Sequence, residues 1–104
     1  MQIQVNTDNH IAGHEGLAAR IAETVEDTLA HNRDRITRVE VHVSDENARK
    51  PGTDDKRCVI EARLEGHKPL AASHNAGTID AAVNGAAEKL ARQISSTLGK
   101  QRDK

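Results

Sequence analysis

The chain contains no phenylalanine, tyrosine or tryptophan among its 104 residues. A core without aromatic rings must be assembled from Ala, Val, Ile and Leu, each burying less area, so the sequence predicts a thin core. The same absence removes the rings on which the common single-strand nucleic-acid platforms stack bases. Cysteine occurs once, at Cys58, so no intrachain disulfide can form. No apolar run approaches the roughly 20 residues that a membrane helix needs. The opening residues, MQIQVNTDNH, hold no basic region followed by an apolar stretch, so no signal peptide and a cytoplasmic protein are expected. Phosphate-binding, nucleophile-elbow and dinucleotide fingerprints are all missing. Six histidines are present, but no cysteine partners them at zinc-finger spacing, and no metal is expected. The acids and bases are not grouped by any motif, and a thin two-layer domain leaves little room for a pocket. The expectation is therefore a protein without catalytic activity, cofactor or small-molecule substrate.

What the chain does have is clean periodicity. Gln2–Thr7 alternates, with Ile3 and Val5 on one side, and reads as a half-buried strand. Leu17, Ile21, Val25 and Leu29 recur every four residues, one apolar stripe on a helix from about His14 to His31, ended by Asn32, Arg33 and Asp34. Ile36–Ser44 alternates again, Val39, Val41 and Val43 facing inward. Asp45 to Asp55 has no apolar period and contains Pro51-Gly52, so a long, mobile hairpin loop is predicted. Arg57–Glu65 forms a third strand with Cys58, Ile60, Ala62 and Leu64 inward. There the Cys58 thiol is expected to be inert packing. After Gly66-His67, Lys68–Ser73 is a weaker strand, and Pro69 suits an edge position. Thr78 is a helix cap, and Ile79, Val83, Ala86, Ala87, Leu90, Ile94 and Leu98 form the stripe of the second helix. Gly85 inside that helix suggests close backbone packing against the sheet, and Gly99 is expected to stop it.

The order is β-α-β-β-β-α. These elements predict an α+β fold of two layers, a four-stranded mixed sheet with both helices on one face. Residues 1–98 would make a single domain and residues 99–104 a flexible polar tail. The open sheet face would carry Arg38, Glu40, His42, Arg57, Glu61 and Arg63. Their alternating signs are expected to pair across strands.

Net charge is −1, so no global field draws nucleic acid or membrane. The charge is nonetheless uneven. Residues 1–32 carry Arg20 against Asp8, Glu15, Glu23, Glu26 and Asp27, a net of −4. Residues 86–104 carry Lys89, Arg92, Lys100, Arg102 and Lys104 against Glu88 and Asp103, a net of +3. Lys89 and Arg92 occupy neighbouring outer positions of the second helix. Arg20 joins that patch if the helices lie side by side. Cations in a last helical turn also complement the helix dipole without any partner. Any RNA held by this surface must be bound through phosphates and shape.

The segment Ala81-Ala82-Val83-Asn84-Gly85-Ala86-Ala87-Glu88-Lys89-Leu90-Ala91-Arg92-Gln93, set in the β-α-β-β-β-α order, resembles the ribosome hibernation-promoting factor family. That family includes ribosome-associated inhibitor A and the sigma-54 modulation proteins. The run Asp34-Arg35-Ile36-Thr37-Arg38-Val39-Glu40-Val41 and the start Met1-Gln2-Ile3-Gln4-Val5 resemble it too. The resemblance spans about residues 1–98 and implies a domain lodged in the mRNA and tRNA channel of the small ribosomal subunit, where it blocks translation. It implies rRNA contacts at Lys89 and Arg92, and at Arg35 and Arg38. Arg20 and Lys100 complete the candidate RNA-binding set. The chain departs from the family in having Thr78-Ile79-Asp80 where an aromatic is usual, and an acidic first helix. The alternative is a protein-interaction module with the same fold, its working face the acidic helix, which leaves a homodimer open.

Overall fold

The computed structural model describes residues 1–8, 14–45 and 55–102, without the side chains of residues 14, 15 and 100–102. The mobile loop expected between Asp45 and Asp55, His10 and Lys104 all lie outside the described residues. The elements are β1 (Gln2–Thr7), α1 (His14–Leu29), a 3₁₀ segment (Ala30–Arg35), β2 (Ile36–Asp45), β3 (Lys56–Leu64), β4 (Leu70–Ala76) and α2 (Ile79–Arg102). The sheet order is β1-β2-β3-β4. β1 runs parallel to β2, with Ile3 beside Val39, and the two later pairings are antiparallel.

Both helices pack on one face of this sheet, and the core lies between the layers. Leu17, Ile21, Val25 and Leu29 of α1 are buried, as are Val83, Ala86, Ala87, Leu90, Ile94 and Leu98 of α2. From the sheet come Val39, Val41, Val43, Cys58, Ile60, Ala62 and Leu64. The helices run in the same direction. Arg20, early in α1, meets Asp80 at the start of α2, and Asn32, just past α1, bonds Ser95 further along α2. Thr78 caps α2 as expected, its Oγ1 accepting from the Ala81 N–H at 3.1 Å. Thr78→Ala should destabilise the domain by about 1 kcal/mol, measurable by urea unfolding.

Three expectations need correction. The first helix does not run α-helical to His31. It ends at Leu29, the last residue of its apolar stripe, and tightens into the 3₁₀ segment. Gly99 does not stop α2, which continues to Arg102. A stopping glycine takes a positive φ, and among the described residues only Gly66, in the β3–β4 turn, does so.

The third correction concerns the open sheet face. Arg38, His42, Arg57 and Arg63 are exposed there, with Glu40 and Glu61 half-buried. The register, however, sets Arg38 opposite Arg63 and Glu40 opposite Glu61. Like charges face each other, and the ion pairs run along β2 instead, Glu40 taking Arg38 at 3.0 Å and His42 at 3.7 Å. That register is continuous from Arg38 and Arg63 to Asp45 and Lys56, because it pairs the inward rows Val39, Val41 and Val43 with Ala62, Ile60 and Cys58; an irregularity lies beyond its end, between Ile36 and Arg38. Ile36 and Val39 are both buried although three residues apart, which strict alternation cannot deliver. One extra residue on β2 resolves the conflict as a β-bulge. It brings Ile36 opposite Leu64 on the core side while Arg38 stays opposite Arg63.

Candidate nucleic-acid interface

α2 positions its cations by its buried stripe. With Leu90 and Ile94 fixed in the core, Lys89 and Arg92 are left exposed. The Lys89 ammonium donates to the Ser73 carbonyl at 3.1 Å, across the outer edge of β4. That bond leaves the charge unneutralised and satisfies an edge-strand acceptor. Arg92 makes no ion pair with a described residue. A shallow groove of about 340 Å³ opens beside Lys89, lined also by Gln93, Arg57, Val59, Ala71, Ala72 and Ser73. Arg57 therefore joins Lys89 at one rim. Sequence reasoning missed it, because Arg57 read only as one member of the charged sheet face.

Arg20 lies elsewhere. Its Nε pairs with Asp80 Oδ1 at 3.2 Å, both side chains well exposed. Asp80 and Lys89 are nine residues apart on α2, which is two and a half turns, so they lie on opposite sides of the helix and roughly 13 Å apart along it. The helices do pack side by side, but this places Arg20 on the α1 side and Lys89 on the β4 side. Arg35 and Arg38 form a separate group where the 3₁₀ segment enters β2. Arg35 is exposed, with no ion pair to a described residue. Arg38 is engaged by Glu40 and by the Gln4 side-chain carbonyl. Lys100 lies in the last turn of α2, its side chain outside the described residues.

The acidic outer face of α1 is present as read. Glu23 and Asp27 are exposed, and Glu26 pairs with Arg33 at 3.3 Å. At the far end of the β2–β3 ladder, Lys56 bridges the buried Asp55 at 3.2 Å and Asp45 at 3.3 Å. The Asp55 hydrogen bond, with Asp45 adding to it, raises the lysine above its ordinary range.

No group of three or more metal-ligating side chains comes together among the described residues. Cys58 is fully buried, and burial pushes its thiol up to about 12. At neutral pH it is therefore a neutral packing group, far from the thiolate that nucleophilic chemistry requires.

Fold and surface together define a two-layer α+β domain with exposed cations on α2 and at one end of its sheet and an acidic outer face on α1. The chain belongs to the Sigma 54 modulation protein / S30EA ribosomal protein family, whose sequence profile matches residues 3–102. Among solved structures it is similar to a ribosomal subunit interface protein from Coxiella burnetii, with 19% identity and a TM-score of 0.72 over 95% of this chain and 99% of that one. It is similar also to the N-terminal domain of Protein Y from Thermus thermophilus, with 20% identity and a TM-score of 0.67 over 93% of this chain and 99% of that one. At such identities the likeness is one of fold. No curated protein sequence matches the chain.

Proposed function

We propose that this protein is a ribosome-associated translation inhibitor of the hibernation type. It binds the small subunit through rRNA phosphates, excludes mRNA and tRNA from their channel by occupying it, and carries out no chemistry of its own. It works in the cytoplasm and takes neither cofactor nor small-molecule substrate. One observation carries the reading within this family: Lys89 and Arg92 stand exposed on α2 and neither is neutralised by a described carboxylate. With no Phe, Tyr or Trp in the chain, the usual large stacking platforms are missing, which favours phosphate contact and shape as the means of holding RNA.

Such binding is expected to be strongly salt-dependent. The protein should sediment with purified small subunits at low salt, and log K should fall linearly with log salt. A salt-independent association would contradict phosphate-led binding. No association at low salt, together with a dimer on sizing, would instead establish the interaction-module alternative.

A further inference from the structure

The reading above uses the outer surface of the helical layer. The opposite layer carries exposed cations that it does not use, Arg63 and Lys68. Arg38 and Arg63 stand directly opposite each other where β2 begins and β3 ends. Like charges so placed destabilise a strand pair. The arrangement is built in all the same. Alternation with the buried Val39 sets Arg38 on the open face, and where the bulge follows, the Thr37 hydroxyl donates to the Arg63 carbonyl at 3.1 Å, holding the two strands together. Bulges of this kind re-aim side chains at sheet ends.

With Arg38 and Arg63 this end holds more cations than anions, Arg35 and Lys68 standing among them with Asp34 and Glu65, which are also exposed. Arg35 is one residue before β2, and Lys68 lies in the connection from β3 to β4 that follows Gly66. The Glu65 N–H donates to the Arg35 carbonyl at 3.2 Å, joining these two segments at the same end of the sheet. Arg35, Arg63 and Lys68 are exposed, and none forms an ion pair with a described residue. The bond from Asn32 to Ser95 brings the C-terminal part of α2 to this end as well. One row inward, Glu40 faces Glu61. That acidic row bounds the patch, so a polyanion can cross the sheet end but not lie along the strands.

We propose that this sheet end is a second phosphate-contact surface for RNA, centred on Arg63, Lys68 and Arg35, on the layer opposite Lys89 and Arg92. It deepens the ribosome-binding reading and rests on it: RNA grips the domain from both layers. Arginine suits the role because its planar fork meets phosphate oxygens two at a time.

The test uses the whole chain and purified small ribosomal subunits, with association measured from about 0.05 to 0.3 M salt. Arg63→Gln with Lys68→Gln should lower the slope of log K against log salt by about 2, roughly one per lost phosphate contact, and weaken binding on the order of 10²-fold at 0.1 M. Melting temperature should be unchanged or higher, since a like-charge opposition has been relieved. Loss of binding alongside undiminished stability is a result that a merely structural role would not give. If this variant binds like the parent while reversal at Lys89 and Arg92 still abolishes binding, the sheet end is not an RNA contact and the ribosome reading stands. If the parent itself does not bind, both fall. If the variant instead loses a self-association that the parent shows on sizing at low salt, the sheet end meets the acidic surface of a second copy, and the RNA assignment is overturned.

Discussion

Reversing both cations of α2, Lys89→Glu with Arg92→Glu, is expected to remove most of the association with small ribosomal subunits at 0.1 M salt. Each phosphate contact contributes about one unit to the salt slope, so losing two weakens binding at 0.1 M on the order of 10²-fold, and the added negative charges push further. Parent and variant should converge as salt approaches 1 M, where counterion release no longer favours binding. The fold should survive. Both side chains are exposed, and the only bond to a described residue that is forfeited is that from Lys89 to an edge carbonyl that water can reach. Unfolding curves therefore serve as the control. Undiminished binding at 0.1 M by a folded variant would remove Lys89 and Arg92 from the interface. Arg20→Glu offers a contrast. Arg20 stands two and a half helical turns away, on the other side of α2 beside Asp80, so its reversal should leave the slope much closer to that of the parent.

The stripes of α1 and α2 were legible because a 3.6-residue period depends only on neighbours along the chain, and every residue of the α1 stripe is buried as expected. Alternation did the same for Val39–Val43 and for Cys58–Leu64. What local pattern could not supply was register. Ile36 and Val39 share a face, and their odd spacing already contained the bulge, but only pairing with β3 shows that the regular ladder sets Arg38 against Arg63 and Glu40 against Glu61. The expected cross-strand ion pairs failed for that reason. The candidate site divides the same way. That Lys89 and Arg92 point outward follows from the helix alone. That Lys89 reaches Ser73, that Arg57 shares its groove, and that Arg20 is taken up by Asp80 are all contacts between distant parts of the chain. Gly99 resembles a helix stop in sequence and is none, since Leu98 before it is buried and the backbone keeps its helical course.

Gly85 yields the largest expected effect on stability. By helix propensity alone Gly85→Ala should stabilise α2 by about 1 kcal/mol. The structure reverses that sign. A Cβ at position 85 would overlap the imidazole of His74, which stands in the inward row of β4 between the buried Ala72 and Ala76. The overlap falls at the root of the ring rather than its far tip, so a small rotation cannot relieve it, and α2 must lift from β4. Overpacking of this kind costs about 1–3 kcal/mol. Net destabilisation is therefore expected, and each kcal/mol should lower the melting temperature by roughly 4–8 °C in a domain of this size. Truncating the ring removes the conflict. In a His74→Ala background, Gly85→Ala should become neutral or stabilising, and the double-mutant cycle should return a coupling of more than about 1 kcal/mol. Additive effects would mean that the ring does not meet the helix backbone. The same contact bears on binding, because the seating of α2 on β4 is what brings Lys89 to the Ser73 carbonyl. Gly85→Ala should weaken subunit association in proportion to the lifted helix, and adding His74→Ala should restore it although neither residue carries a charge that RNA needs.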